Sequence, residues 1–107
     1  MLGSLLKINN YERGILMDLN QSLNSNTDFL MITTNVCYYC TRAKNILDAK
    51  GFTYTEINGN QEIEIHLEAR QQTGWRTVPI IWDLRNGEPV FIGGSDELIL
   101  ILNKSNQ

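Results

Sequence analysis

The chain has 107 residues, of which 42% are hydrophobic and 20% charged, with a formal net charge of −3. These values predict one soluble globular domain, large enough to bury a core without staples. They argue against a nucleic-acid binder, which needs a basic face, and no apolar run approaches the ~20 residues of a membrane span.

The opening MLGSLLKINNYERGILMDLNQ carries charges and lacks a compact apolar segment followed by a small-residue cleavage site. No signal peptide is expected, and the cytoplasm is the expected location. Ile15, Leu16 and Leu19 give a weak helical spacing, interrupted by Gly14, which suggests a helix or a loosely docked arm. The stretch Asn20–Thr27 is polar and turn-prone. Residues 1–27 are therefore expected to form an N-terminal extension, and residues 28–107 the main domain.

A clearer rhythm follows. Asp28–Thr34 is a short, apolar, partly β-branched run expected to form a buried strand. From Cys37, the residues Cys40, Ala43, Ile46 and Leu47 recur at helical spacing, and Gly51 is a stop signal. Phe52–Ile57 alternates like a strand. Gln61–Gln72 is helical, with Gly74 after it. Val78–Trp82 predicts a strand, Asn86-Gly87 a hairpin turn, and Pro89–Ile92 the returning strand. Gly93-Gly94 breaks that strand, and Ser95 is the expected N-cap of a last helix that buries Leu98, Leu100, Ile101 and Leu102. The order is β-α-β-α-β-β-α. Strand–helix–strand units imply parallel pairing, and the hairpin adds an antiparallel pair. The expected fold is α/β, a mixed sheet with helices on both faces.

The two cysteines of the chain, Cys37 and Cys40, stand in VCYYCTR. A zinc site normally takes four ligands, whereas this chain offers two cysteines and one histidine, His66, on a different predicted helix. A static disulfide between residues one turn apart closes a tiny loop and stabilises little. A redox pair fits the context better, because a C-x-x-C beside a strand–helix–strand pattern is the arrangement of thioredoxin-like exchange. Cys37 falls where the first strand gives way to a helix. Unpaired N–H groups and the helix dipole there favour a thiolate, the species that attacks a disulfide. Cys40 is one turn further in and more buried, so Cys37 is expected to attack and Cys40 to resolve.

Four separated stretches resemble the glutaredoxin family: Cys37-Tyr38-Tyr39-Cys40-Thr41-Arg42-Ala43-Lys44, Gly51-Phe52-Thr53-Tyr54, Thr73-Gly74-Trp75-Arg76-Thr77-Val78-Pro79 and Ile92-Gly93-Gly94-Ser95-Asp96-Glu97-Leu98. The likeness covers about residues 28 to 103. It implies a thioredoxin fold, with a four-stranded mixed sheet flanked by helices, and a dithiol, glutathione-dependent disulfide oxidoreductase. Glutathione would be the co-substrate, and no metal is expected. In that likeness Thr77-Val78-Pro79 carries a cis proline facing the cysteines, and the backbone of Val78 pairs with the cysteinyl part of glutathione. Gly94, Ser95 and Asp96 meet its γ-glutamyl end, Arg76 meets its glycine carboxylate, and Tyr39 flanks the reacting sulfur. Disulfide-bearing proteins are the implied partners, with ribonucleotide reductase a candidate, and the chain is expected to be monomeric. Trp75 either lines the groove or covers the loop.

The chain departs from the family pattern in three places. Tyr38 stands where many dithiol members have proline. Thr34 stands where a lysine is common, three residues before the first cysteine. His66 matches a helical position often held by Gln, Lys or Arg, and is expected either to meet the glycine carboxylate or to be an exposed histidine without a role. Some relatives lacking that proline hold a [2Fe–2S] cluster between two protomers, ligated by the first cysteine and glutathione, which is the alternative function. Retention of Cys40 and the bulk of Tyr38 lean against it.

Overall fold

The computed structural model describes residues 18–105. The helical segment expected over Leu5–Leu19 lies outside the described residues apart from its last two positions. The first described element is a short helix, α1 (Leu19–Leu23), where the composition suggested a turn. Its cause is a reciprocal cap. The Asp18 carboxylate accepts the Gln21 N–H at 2.8 Å, and the Gln21 side chain accepts the Asp18 N–H at 3.2 Å. Leu19 then drops fully into the core.

The sequence elements follow in the expected order: β1 (Phe29–Thr33), α2 (Tyr38–Lys50), β2 (Tyr54–Asn58), α3 (Ile63–Thr73), β3 (Ile80–Asp83), β4 (Val90–Gly93) and α4 (Ser95–Ser105). The strands form one mixed sheet in the order β2-β1-β3-β4. β1 and β2 are parallel, with Met31 opposite Glu56. β3 runs antiparallel to β1, with Met31 opposite Ile81, so the second strand–helix–strand unit does not give the parallel pairing expected of it. The segment between α3 and β3 contains a cis Val78–Pro79 bond, and after it the chain enters the sheet from its other end. β4 closes the hairpin on β3, and the register slips so that Ile92 is an extra residue between the Ile81–Gly93 and Trp82–Phe91 pairs.

β1 and β3 are buried along their whole length because both faces of the sheet are covered. Side chains alternate across a strand. Leu30, Ile32, Ile80 and Trp82 meet Leu19, Ile57, Ile65 and Ala69 on the α1–α3 side. Phe29, Met31 and Ile81 meet Ala43, Leu47, Leu98 and Leu102 on the α2–α4 side. Full burial of each such side chain is worth about 1.5–3 kcal/mol, and this central pair of strands fixes where the cysteine-bearing turn emerges.

Candidate functional site

The site grows from the turn between β1 and α2. Cys37 is the N-cap of α2, in extended backbone, and its Sγ accepts the Cys40 N–H at 3.0 Å. The helix start thus supplies a donor to the sulfur where the dipole also favours negative charge. Cys37 and Cys40 are joined as a disulfide, so the described state is the oxidised one. Cys37 is partly exposed, whereas Cys40 is 2% exposed. The Sγ of Cys37 lies 3.8 Å from the Val78 carbonyl oxygen, a contact without a shared proton, since a disulfide sulfur carries none.

Val78 also lines a cavity of about 240 Å³, together with Tyr39, Trp75, Thr77, Pro79 and the 94–97 turn. Tyr39, Thr77, Val78, Pro79, Gly94, Ser95 and Asp96 are thus brought together. Arg76 is not among them. It lines a separate cavity of about 460 Å³ with Leu67, Arg70, Gln71 and Gly74.

The far wall is the start of α4. The first intrahelical bond, from Leu98 N–H, ends on the Gly94 carbonyl at 3.0 Å, so Gly94 rather than Ser95 occupies the cap position. Its N–H donates to Glu97 Oε1 at 2.9 Å. That glutamate was not singled out from the sequence, although a Glu three residues after a cap is half of a capping box. Ser95 and Asp96 stand in the first turn of α4, where N–H groups lack an intrahelical acceptor. Gly93 enters this turn at φ +118, and a Cβ there would lie 2.9 Å from Glu97 Cγ. Only glycine suits that backbone and that approach.

Arg42 of α2 reaches across to this wall. Its Nη1 donates to Asp96 Oδ1 at 2.8 Å and to Ser95 Oγ at 3.4 Å, and its guanidinium lies 5.9 Å from the Tyr39 ring centroid. The Asp96 side chain is 74% exposed, so this pair adds at most about 1 kcal/mol of stability. Its larger effect is to hold the carboxylate at the cavity rim. Trp75 forms the side wall, edge-on to Phe91 at 5.7 Å. Its Nε1–H is buried and has no hydrogen-bond partner among the described residues.

His66 is neither exposed nor turned to the cavity. Its ring lies against Gly59, where a Cβ would fall 2.6 Å from Nδ1, and its buried Nε2 has no partner among the described residues. Burial, and then the charge of Arg70, hold its pKa below the ordinary histidine value. On the other side of the turn, Glu56 accepts Thr33 Oγ1–H at 2.7 Å and pairs with Lys44 at 3.0 Å. Burial opposes its ionisation, but the Thr33 and Lys44 hydrogen bonds outweigh it and lower its pKa.

A family model described as glutaredoxin matches residues 29–88. The chain belongs to the glutaredoxin family. It is 39% identical over 69 residues to a glutaredoxin of Pseudomonas aeruginosa, covering 64% of this chain and 77% of that relative. A crystal structure of a buckwheat glutaredoxin–glutathione complex superposes with a TM-score of 0.68 at 28% identity, over 79% of this chain and 76% of that one. The solution structure of a Brucella melitensis glutaredoxin gives a TM-score of 0.59 at 31% identity, over 72% of this chain and 79% of that one. As a glutaredoxin with an intact cysteine pair on a thioredoxin-like fold, the protein is a thiol–disulfide oxidoreductase.

Proposed function

We propose that this glutaredoxin is glutathione-dependent, reducing protein disulfides and glutathione mixed disulfides. One observation carries the reading. A cavity of about 240 Å³ extends from Val78, whose carbonyl oxygen lies 3.8 Å from Cys37 Sγ, to the start of α4 at Gly94, Ser95 and Asp96. The complex of the buckwheat relative with glutathione supports the same choice. The γ-glutamyl carboxylate would take the Ser95 and Asp96 N–H groups, and Asp96 its ammonium. The Val78 backbone would take the cysteinyl unit in strand fashion, with Pro79 and Thr77 below it and Tyr39 over the reacting sulfur. The glycine carboxylate would then extend past Thr77 towards Arg76.

The exchange proceeds in two displacements. The Cys37 thiolate attacks one sulfur of a partner disulfide and expels the other as a thiolate. For a protein disulfide, the Cys40 thiolate then attacks Cys37 Sγ, forming the Cys37–Cys40 disulfide and releasing the second partner thiol. Two glutathione molecules restore the dithiol and leave as glutathione disulfide. For a glutathionylated substrate, a second glutathione can replace Cys40. Buried Cys40 suits the internal step and partly exposed Cys37 the external one.

The domain so assigned is residues 28–107, acting as a monomer in a reducing cytoplasm, where glutathione is held reduced. Ribonucleotide reductase is one disulfide partner to assay. The deciding measurement is glutathione-coupled reduction of a small mixed disulfide and of a protein disulfide. Cys37→Ser abolishes both activities, while Cys40→Ser keeps the first and loses most of the second. An active Cys37→Ser protein overturns the mechanism. A brown, dimeric protein after anaerobic purification would replace it with the cluster-binding role.

A further inference from the structure

The turn that delivers Cys37 is held by almost no packing. From Thr34 to Tyr39 no residue is buried, and Val36 is 95% exposed. Burial therefore cannot fix its path, and hydrogen bonds must. Three asparagines supply them. Asn35 N–H donates to Asn60 Oδ1 at 2.7 Å, and Asn58 Nδ2 donates to Asn35 Oδ1 at 2.7 Å. Asn60 N–H returns to Asn58 Oδ1 at 2.8 Å, closing a ring. The Gln61 N–H also reaches that oxygen, at 3.3 Å, so the amide nitrogen of Asn58 is the atom left facing Asn35. One residue deeper, Gly59 N–H donates to the Thr33 carbonyl at 2.6 Å. The loop between β2 and α3 thus grips the turn two residues before the nucleophile.

We propose that Asn35, Asn58 and Asn60 form a clasp that positions Cys37 for thiol–disulfide exchange and, by ordering the turn, favours closure of the Cys37–Cys40 disulfide. The clasp is made with the disulfide closed, so the two constraints fit the same geometry and each strengthens the other. Two-electron reduction removes the disulfide and gives two thiols. Downstream, Cys37 is then held by the first turn of α2, through its carbonyl to Thr41 N–H at 3.2 Å. Upstream, the clasp is the side-chain tether that remains among the described residues. The three asparagines are positioning residues, since none touches the sulfurs.

A clasp that favours the disulfide form has a thermodynamic signature. Breaking it destabilises the oxidised protein more than the reduced one, so the disulfide becomes easier to reduce. The test uses the full chain equilibrated in reduced and oxidised dithiothreitol at varied ratio, with the oxidised fraction read by thiol labelling, and urea unfolding of each redox form. Asn60→Ala is expected to shift the equilibrium towards the dithiol by about two- to fivefold, a part of the effect of one lost hydrogen bond. It should also lower the unfolding midpoint of the oxidised form more than that of the reduced form. Asn60→Asp keeps the acceptor for Asn35 N–H and should stay within about twofold of wild type. Should Asn60→Ala not fold, Asn35→Ala removes a single exposed side-chain contact and carries the same comparison. Equal destabilisation of both redox forms, or an unmoved equilibrium, overturns the proposal and leaves the clasp a loop support only.

Discussion

His66 shows what a single side chain can impose. Its buried Nε2 has no partner among the described residues that could accept from an N–H there, and burial opposes charging the ring. The folded pKa lies below the ordinary value of about 6.5, and the unfolded chain binds the proton first as pH falls. Stability is full above that value and declines from roughly pH 7 downward until the folded group itself titrates. Urea midpoints at pH 7.5 and 5.5 should differ in wild type, and the difference should shrink in His66→Gln. A difference unchanged by the substitution would place the pH response elsewhere. The family resemblance placed His66 at a helical position often held by Gln, Lys or Arg, and left open whether it meets a ligand or is exposed without a role. It could not show that a glycine seven residues earlier, Gly59, leaves room for the ring to turn inward. Arg76 poses a similar limit, because a loop residue's direction follows from neighbours that spacing does not encode.

At the scale of elements, the start of α4 concentrates several constraints in few residues. Gly93 has a backbone closed to other residues, Gly94 is capped by Glu97, and Ser95 and Asp96 are held by Arg42. Gly93→Ala should push Glu97 off the Gly94 N–H and disturb the cavity wall. The expected loss is about 1–3 kcal/mol by urea denaturation, with a several-fold rise in KM for glutathione. An unchanged KM would separate this turn from the binding site. The elements themselves were legible because β1, α2 and α4 have strong local signals: a continuous apolar run, a glycine stop and a glycine break. α1 was not. Its residues are mostly polar, and its helix rests on the Asp18–Gln21 cap and on burial of Leu19, two effects weaker in composition than in geometry. The direction of β3 was also hidden, because strand–helix–strand order does not reveal which end of the sheet the chain re-enters.

For the whole molecule, the sheet is a partition between two cores, and the site sits at one edge of that partition. Leu47 is fully buried on the α2 side, so Leu47→Ala should cost about 2–5 kcal/mol, a large part of the 5–15 kcal/mol typical of a domain. The melting temperature should drop sharply while kcat at 25 °C changes little, provided the protein remains folded. A comparable loss of kcat would mean that α2 transmits core packing to its own first turn. The slipped register at Ile92 matters in another way. Among the described residues the sheet has two open sides, β2 and β4. β4 is four residues long, is preceded by Pro89 and is bent by its extra residue. Such a strand makes a poor template for another chain. An approaching chain therefore finds no long, flat strand to pair with along the β4 side of the sheet.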